Sequence, residues 1–542
     1  MNVKFIFFLS FIISFVSCKT KKSVDTIFYN AHIYSVDSLN SEQEAFAIEN
    51  GKIVFVGTTK SVLEKFDSKT KIDVKGKFIY PGFNDAHCHF VGYAGDMFKC
   101  QLFGTNSFEA ILDSLKNYDK SNELGFIYGR GWDQNYWPQK QFPNNEILSK
   151  LFPSKPVFLK RIDGHAVLVN EFLLLQAKEV LQLFKGTSFI EIKNGKPTGI
   201  LFDNAMEAVE KLLPKISKET LIKNILKAQN EAFSIGLTSI TEAGLNYDEI
   251  LLIDSLQKAG LLKMNINAMV SAKKQNIDYF SKHPFKNSSK LRVASLKVYA
   301  DGALGSRGAC LKNPYSDDVL KHGRLNISIA EFDSVAQWAI KNNYQMCTHS
   351  IGDSTNATVL KVYAKYLQGK NNKRWRIEHA QVLDSIDIEI FFTNDIIASV
   401  QPTHATSDMY WAEERLGKRR LKTSYAYGTL DKQKVKLALG TDFPVEYFNP
   451  LYTFYAATSR KDKNGFPSDG FQIKDSLSRL ATLRGMTIDA AYASFAERET
   501  GSIETGKMAN FIITEFDLMH DNLTKIRNNK IYNTYIFGNK VY

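Results

Sequence analysis

Cysteine is scarce in this chain, and its spacing excludes two classes of protein. Only five of the 542 residues are cysteine. The four beyond residue 18 are Cys88, Cys100, Cys310 and Cys347, and their irregular spacing is neither a disulfide framework nor a CxxC zinc knuckle. A single bridge between Cys88 and Cys100 is conceivable, but we predict buried thiols.

Dense runs of basic residues and phosphate-binding loops are also missing. The net charge is +12, from 69 basic and 57 acidic residues, but the lysines are scattered and are not interleaved with aromatic residues. We interpret this charge as a solvated surface and predict no nucleic-acid partner. The loop sequence GALGSR at Gly302–Arg307 lacks the Walker lysine, so no phosphate-containing organic cofactor is predicted.

The apolar stretch Phe5–Val16 is too short to span a bilayer as a stable helix. It is followed by Ser17 and Cys18, and residues 1–17 are typical of a signal peptide. The small residue before Cys18 resembles a bacterial lipoprotein signal, in which the cysteine becomes lipidated and N-terminal. We predict secretion across the inner membrane into the bacterial cell envelope (periplasm), with a membrane as partner through a lipid anchor at Cys18. The alternative is secretion with Cys18 free.

Most of the remaining chain alternates between strand-like and helical patterns, which favours a parallel α/β architecture. Apolar, β-branched runs ending in polar residues predict about eight strands, the number that closes a (β/α)8 TIM barrel. Helical periodicity fits between several of them, as in Lys218–Ile235 and Ile329–Asn342. The predicted strands are Phe78–Ala86, Leu237–Thr241, Met264–Val270, Ser295–Ala300, Tyr344–Thr348, Arg374–Glu378, Ile396–Val400 and Val435–Leu439.

Glycine-punctuated strand patterns at both ends of the chain predict a composite β domain from residues 26–77 and 495–542. Gly501–Gly506 is one of these predicted strands. Residues 18–25 are then a tether, and residues 78–494 form the barrel.

The connection between His89 and Leu237 is too long for one crossover helix. We therefore predict an inserted subdomain at about residues 100–215. Its aromatic cluster, Gly129–Pro138, contains Trp132, which we predict to contact the substrate. The alternative is that the cluster fills the core of the subdomain.

The stretch FIYPGFNDAHCHF at Phe78–Phe90 contains His87 and His89, one residue apart. In a strand such residues point to the same face, so two imidazoles aim at one point, as a divalent metal requires. Such a pair alone is a weak signal. However, active residues of a barrel lie at the carboxyl ends of its strands, and four further strands deliver residues of the same chemistry: Lys297, His349, His379 and Asp442.

Together these motifs resemble the amidohydrolase superfamily, and specifically its family 3 branch, which includes N-substituted formamide deformylases and N-acyl amidohydrolases. The matching pieces are PGFNDAHCH, RIDGHAVLVN, the KVYADGALGSR run, HSIGD, IEHAQ and GTDFPV. The resemblance implies a metal-dependent barrel with a β-sandwich-like domain built from both chain ends. It also implies that His87 and His89 bind a first metal and that His349 and His379 bind a second.

The resemblance further implies that Lys297 is carboxylated and bridges two metals, since an ammonium cannot ligate a cation whereas a carbamate offers two oxygens. The alternative is a buried lysine paired with a carboxylate such as Asp301. Asp442 is expected to ligate the first metal. A metal lowers the pKa of water and polarises a carbonyl, while Asp442 takes the proton and returns it to the departing amine.

Other residues are expected around the substrate and the metals. His165 is expected to hydrogen-bond the substrate carbonyl or the developing oxyanion, or else to hold its loop in place. Arg307 binds an acidic substrate group or forms an ordinary ion pair, and His404 lines the pocket. Asp353 and Glu378 are candidates to orient imidazoles.

We therefore predict a metal-dependent hydrolase that uses one or two divalent ions, zinc foremost, to cleave a linear amide, formamide or N-acyl bond in a small-molecule substrate. The alternative within enzymes is a cyclic amide or imine hydrolase, or a deaminase. The non-enzyme alternative is a lipoprotein that binds a small ligand in a catalytically inactive barrel. A missing metal ligand would favour that alternative, but all six predicted metal ligands are present. The oligomeric state is left open.

Overall fold

The protein is built around a barrel of eight parallel strands. The computed structural model describes residues 21–122, 125–214 and 216–542. Consecutive strands pair in chain order around the barrel, and the backbone N–H of Asp442 donates to the carbonyl of His87 at 2.7 Å where the last strand returns to the first. The predicted (β/α)8 architecture is confirmed. From first to eighth the strands are Phe83–Cys88, Leu237–Leu245, Asn265–Ser271, Leu291–Tyr299, Gln345–Ser350, Arg376–His379, Ile397–Val400 and Leu437–Leu439.

The single strand expected over Phe78–Ala86 is in fact two strands. Phe78–Pro81 pairs with Phe511–Thr514 in a separate sheet, and Phe83–Cys88 begins the barrel. Pro81 has no N–H to donate to a ladder. At Gly82 the backbone passes so close to the second barrel strand that a Cβ would lie 2.2 Å from the side chain of Thr238. The chain therefore leaves one sheet and enters the other at these two residues.

Helices cover the outside of the barrel. The helix Ile329–Lys341 begins with a capping box in which Ser328 and Glu331 satisfy each other's backbone N–H, close to the predicted position. The helices associated with the barrel are Phe90–Asp96, Lys218–Ser234, Tyr247–Lys258, Lys274–Lys282, Ile329–Lys341, Asp353–Leu367, Ser385–Thr393, Pro402–Asp408, Ala412–Leu421, Tyr427–Lys432, Pro450–Ser459, Arg479–Gly485 and Ile488–Ala493.

The long connection after the first barrel strand forms a second sheet with its own hydrophobic core, which we call the inserted domain. Leu102, Ile127, Leu159 and Ile200 are fully buried in that core. In spatial order the strands are Cys100–Gln101, Ile127–Trp132, Val157–Arg161, Ala166–Val169, Lys196–Phe202 and Ile190–Lys193. The helices are Phe108–Asp119, Glu146–Leu151, Glu171–Gln176, Lys178–Leu181 and Asp203–Glu210.

Strands from both chain ends pack around a shared aromatic core. The rings of Phe28 and Phe511 meet edge to face at 4.9 Å, and Phe511 stacks on Tyr535 at 4.5 Å. One sheet contains Lys52–Gly57, Ala45–Glu49, Thr26–Tyr29 and Thr70–Asp73, and the other contains Asn539–Lys540, Asn533–Ile536, Phe511–Thr514, Phe78–Pro81, His32–Tyr34 and Glu42–Gln43. Two short strands, Lys22–Ser23 and Phe66–Asp67, pair beside them, and the helices of this region are Thr59–Lys65 and Leu523–Arg527.

The strand expected over Gly501–Gly506 does not form. Gly501 and Gly506 adopt φ angles of +90° and +94°, which belong to turns and not to an extended strand. This segment connects the last barrel helix to the C-terminal strands through bends and turns.

Of the described residues, no helix is both long and apolar enough to cross a membrane. The predicted signal peptide and Cys18 lie outside the described residues. Cys88, Cys100, Cys310 and Cys347 are free thiols, so the conceivable bridge between the first two is absent.

The closure of the barrel supplies a test of the fold. A Cβ on Gly440 would lie 2.5 Å from the backbone nitrogen of His87 and 2.8 Å from Oδ1 of Asp85. Because rigid backbone cannot yield cheaply, we expect Gly440→Ala to lower the free energy of unfolding by about 1–3 kcal/mol. Urea unfolding followed by circular dichroism measures the change.

Gly95→Ala is the matched control. Gly95 lies in the helix Phe90–Asp96, and a Cβ there would meet nothing within 4 Å. Alanine in a helix is favoured over glycine by roughly 0.5–1 kcal/mol, so this variant should be as stable as the parent or slightly more. Equal stability of both variants would contradict the tight closure at Gly440.

Candidate active site

Three side chains from the first and last barrel strands converge at the mouth of the barrel. His87, His89 and Asp442 each offer one ligand atom, and these atoms lie within 4.8 Å of one another. Oδ1 of Asp442 is 3.2 Å from Nε2 of His89 and 3.5 Å from Nε2 of His87. His87 is fully buried, whereas the side chain of His89 is 30% exposed, so His89 forms the open side of the cluster.

Lys297 from the fourth strand enters the same cluster. Its Nζ is 3.2 Å from Nε2 of His87, and its side chain is buried with a relative exposure of 1%. Burial lowers the pKa of Lys297 to about 8. The alternative partner, Asp301, instead accepts hydrogen bonds from the backbone of Ile351 and Gly352.

A buried ion pair sets the orientation of His87. Glu378 accepts from Nδ1 of His87 at 2.5 Å, and Arg376 donates to both carboxylate oxygens of Glu378. Although burial alone would raise the pKa of Glu378, Arg376 and His87 hold it well below its usual range. An ionised carboxylate only accepts, so the proton of His87 is on Nδ1 and the lone pair of Nε2 faces Lys297 and Asp442.

The fifth and sixth strands bring two further imidazoles. The ring of His379 lies 4.5 Å from that of His349 and 4.9 Å from that of His87, between ring centres. Nδ1 of His379 is 2.8 Å from Oε1 of Gln401, which leaves Nε2 for a ligand. Burial lowers the pKa of His349 and of His379 well below the ordinary histidine value, so both rings are neutral and can ligate a cation.

His404 differs from these histidines because two carboxylates hold it. Its Nε2 lies 3.2 Å from Oδ2 of Asp442 and its Nδ1 lies 2.9 Å from Oε1 of Glu446. Burial would lower the pKa of His404, but these hydrogen bonds raise it well above the usual value. Both nitrogens of His404 thus face carboxylate oxygens, which favours the protonated ring, and the contact with His404 helps to hold the pKa of Asp442 well below its usual range against the effect of burial.

Asp85 ties the first strand to the eighth beneath the cluster. Its carboxylate accepts from the backbone N–H of His87 at 3.1 Å, and from the backbone N–H and hydroxyl of Thr441 at 3.0 and 2.5 Å. Burial raises the pKa of Asp85 to about 7. These bonds set the distance between the backbone of His87 and that of Asp442, the residue after Thr441.

The inserted domain contributes His165 from the opposite side of the mouth. Nδ1 of His165 is 2.7 Å from Oδ1 of Asp203, whose other oxygen accepts from Arg324. Burial would lower the pKa of His165, but the contact with Asp203 raises it. Its ring lies 5.0 Å from that of His349, so an imidazole whose protonated form is favoured lies beside the predicted second metal position.

A cavity of about 770 Å³ opens above these residues. His89, Lys297, His349, His379, His404 and Asp442 line its floor, together with His165 on the wall. The remaining wall is rich in aromatic side chains, among them Phe103, Tyr136, Tyr410, Trp411 and Tyr447. A concave site with a few convergent polar groups in an aromatic wall is typical of small-molecule binding.

Three predicted residues lie elsewhere. Trp132 is 1% exposed in the core of the inserted domain, where its indole N–H donates to the carbonyl of Leu159; Tyr136 from the same aromatic cluster reaches the cavity instead. Arg307 pairs with Asp317 through two nitrogens and does not line the cavity. Asp353 accepts from the backbone of Lys312, so of the two candidate orienting carboxylates only Glu378 contacts an imidazole.

Comparison with known proteins identifies this architecture. The sequence model of the amidohydrolase family matches residues 70–542. The chain belongs to the amidohydrolase family. It is 28% identical over 525 residues to YtcJ of Bacillus subtilis, covering 95% of this chain and 99% of that protein. It is 24% identical to the N-substituted formamide deformylase of Arthrobacter pascens, covering 95% and 97% of the two chains.

A solved structure agrees with the sequence comparison. An uncharacterized metal-dependent hydrolase from Pyrococcus horikoshii superimposes with a TM-score of 0.74 at 25% identity, over 92% of this chain and 99% of that one. The amidohydrolase described here is accordingly a hydrolase that acts on carbon–nitrogen bonds, as predicted.

The donor set of this amidohydrolase fits a divalent metal. Oδ1 of Asp442 is buried and satisfied by no hydrogen bond within the described chain, although it faces the nitrogens of His87 and His89. An unsatisfied buried carboxylate oxygen is costly unless a cation completes it. Neutral imidazoles and a carboxylate are ordinary ligands of such an ion.

Sequence reasoning missed several residues of the amidohydrolase site. Glu446 follows Asp442 by four residues in GTDFPVE, and Gln401 directly precedes the helix that carries His404. Arg376 and Asp85 are within motifs that were recognised, RIEHAQ and FNDAHCH, and a polar residue inside an apolar strand was a usable signal for both. Asp203 carries no such signal, because it is distant from His165 in sequence.

The contact between Glu378 and His87 predicts a change in metal affinity. Glu378→Gln retains an acceptor oxygen but loses the charge that fixes the His87 proton on Nδ1. We expect a 10–100-fold lower affinity for a divalent ion, the usual effect of removing a partner of a ligating histidine. Competition with a chromogenic chelator measures it on the folded protein.

Asp353→Asn is the control for this experiment, since Asp353 contacts no imidazole among the described residues. Its metal affinity should equal that of the parent protein. If the two variants bind the metal equally tightly, Glu378 does not orient a ligand.

Proposed function

We propose that this amidohydrolase binds zinc, as one or two ions, and hydrolyses a linear amide, formamide or N-acyl bond of a small molecule. The observation that carries the proposal is the convergence of His87, His89 and Asp442 on one point, with Lys297 adjoining and one oxygen of Asp442 unsatisfied. The formamide deformylase relative supports a linear substrate.

His87, His89 and Asp442 would hold one ion, and His349 and His379 a second. Lys297 would lie between them as a carbamate, which suits a buried side chain without a carboxylate partner in the described residues. A divalent ion bound there supplies an acidified water and polarises the substrate carbonyl.

Side chains of the protein then transfer the proton and stabilise the developing charge. Oδ2 of Asp442 contacts His404, so the carboxylate is oriented with its other oxygen towards His87 and His89. Asp442 takes a proton from the attacking water and returns it to the departing amine. Nδ1 of His165 contacts Asp203, and its Nε2, which makes no hydrogen bond within the described residues, can donate to the oxygen on which negative charge develops.

Activity and metal content test this proposal together. The purified protein should hydrolyse at least one member of a panel of N-acyl amines and N-substituted formamides, lose the activity on chelation, and recover it with Zn²⁺. Preferential turnover of cyclic amides or imines would favour the other amidohydrolase reactions. Full activity after complete metal removal would exclude the metal mechanism.

The Asp442→Asn variant tests whether Asp442 carries the proton or only maintains the structure. Asparagine retains the shape and an acceptor oxygen but loses the basic oxygen. We expect a normal melting temperature and a kcat lower by roughly 10²–10⁴, the usual contribution of a positioned acid or base. A variant that melts early yet retains the parental kcat per folded molecule would remove Asp442 from the mechanism.

For the location we propose a lipid-anchored protein of the cell envelope, on the strength of the apolar stretch Phe5–Val16 followed by Ser17 and Cys18. One acyl chain holds a membrane only marginally, whereas two or more hold it stably. We expect the mature chain to begin at an acylated Cys18, and intact-mass analysis of protein from the native host checks this. An unmodified Cys18 would exclude the anchor while leaving secretion intact.

A further inference from the structure

The helix that carries His404 also carries an acidic residue, Asp408, that lines the cavity. Pro402–Asp408 begins just after the seventh barrel strand, Ile397–Val400. His404 and Asp408 are four residues apart, so they lie on one face of the helix at about 5–6 Å between Cβ atoms. Both line the cavity. Asp408 is thus one helical turn away from the residue that contacts Asp442.

Asp408 has a carboxylate oxygen that the described part of the chain leaves without a partner. Its Oδ2 accepts from Nε2 of Gln381 and from the hydroxyl of Tyr425, both at 2.8 Å. These two neutral donors satisfy Oδ2 and hold Asp408 in place. Oδ1 accepts no hydrogen bond, and Asp408 makes no ion pair, within the described residues.

The other carboxylates that line the cavity either contact Arg161 or His404 or have both oxygens hydrogen-bonded. Arg161 pairs with Asp133 and Asp163. Asp442 and Glu446 both contact the ring of His404. At the rim, Asp462 accepts from the hydroxyl of Tyr410 and from the backbone of Asn464 and Phe466.

Aromatic rings line the same wall of the cavity as Asp408. The rings of Tyr136 and Tyr410 lie 6.2 Å apart at an angle of 66°, and Tyr136 donates its hydroxyl to the carbonyl of Ser407 at 3.1 Å. Tyr136 and Tyr410 are 46% and 44% exposed, so both rings are partly open to a ligand, although one face of Tyr410 stacks on Phe466 at 5.7 Å. Aromatic faces attract organic cations through the ring quadrupole.

We propose that Asp408, Tyr136 and Tyr410 form a subsite for an ammonium group, so that the substrate is an amide carrying a second, basic nitrogen. The subsite rests on the proposed function, because it places this nitrogen about one helical turn outward from the bond that is cleaved. The oxygen of Asp408 that accepts no hydrogen bond within the described residues receives the charge, and the aromatic rings in the same wall attract the organic cation. Burial raises the pKa of Asp408 to about 7, and a bound cation would favour its ionised form.

Binding of a simple probe tests the subsite without requiring turnover. We expect the zinc-loaded full chain to bind phenethylammonium at least tenfold more tightly than the neutral isostere 2-phenylethanol at pH 7.5, by isothermal titration calorimetry. Asp408→Asn should remove this preference and leave the affinity for 2-phenylethanol within twofold. The chelated protein should bind phenethylammonium as tightly as the zinc-loaded one, since the metal is not its partner.

Two more variants keep the test decisive. Glu414→Gln removes an equal charge from an exposed residue paired with Lys140 and should change neither affinity. Tyr410→Leu removes an exposed ring and should weaken phenethylammonium binding even if Asp408→Asn folds poorly. The subsite would be overturned if both the Asp408 and the Tyr410 variants keep the parental preference for phenethylammonium over 2-phenylethanol. It would also be overturned if removing zinc from the parent protein abolishes phenethylammonium binding.

A pair of substrates links the subsite to hydrolysis. N-acetyl-1,5-diaminopentane should be cleaved with a higher kcat/KM than N-pentylacetamide, and Asp408→Asn should abolish the difference mainly through KM. If both are cleaved equally by the parent protein, the subsite is wrong and the hydrolase proposal stands. If neither is cleaved while the ammonium preference in binding persists, the subsite stands and the choice of a linear amide is wrong.

Discussion

Arg376 and Glu378 form an ion pair whose side chains are both fully buried inside the barrel. Arg376 also donates to the carbonyl of Ala86 in the first strand and to the hydroxyl of Ser399 in the seventh. Removing one member of such a pair leaves an uncompensated buried charge, which costs about 3–5 kcal/mol. Arg376 thereby holds three strands in register around Glu378. Because Glu378 orients His87, the direction of the Nε2 lone pair of His87 depends on this ion pair.

The histidines of the site fall into two groups according to their surroundings. His87, His349 and His379 lie deep in the barrel, where burial lowers their pKa values and leaves them neutral. His165 and His404 contact carboxylates, which raise their pKa values and favour the protonated ring. Neutral rings are suited to bind a cation, and protonated rings are suited to stabilise negative charge. One residue type therefore has two roles, set by the carboxylates within hydrogen-bonding distance.

The inserted domain and the barrel share the cavity. His165 and Tyr136 enter from the inserted domain, and His404, Asp408 and Tyr410 enter from the segment after the seventh strand. Buried hydrogen bonds join the two parts, as between Arg415 and Asn135 at 2.7 Å. The barrel thus provides the candidate metal ligands, while the wall that would select the substrate comes from two connections of very different length.

Local pattern was sufficient for much of the architecture. Alternation of strand and helix signals predicted the eight barrel strands, because fully buried parallel strands are short, apolar and followed by polar residues. The boundary at Pro81–Gly82 was missed because both strands that meet there are apolar, and their separate partners, Phe511–Thr514 and Leu237–Leu245, are distant in sequence. The bends at Gly501 and Gly506 were missed because an isolated glycine is compatible with either a strand or a turn.

The sequence by itself determined which residues gather at the mouth of the barrel. The i, i+2 spacing of His87 and His89, and the rule that parallel strands end at one edge, are local and topological constraints. Only the tertiary structure decided the state and partner of each side chain. Arg307 pairs with Asp317 and Trp132 packs in the core of the inserted domain, so neither lines the cavity. His404 contacts both Asp442 and Glu446, which raises its pKa. Such outcomes depend on loop directions and on a few ångströms between groups far apart in the chain, which neither composition nor periodicity encodes.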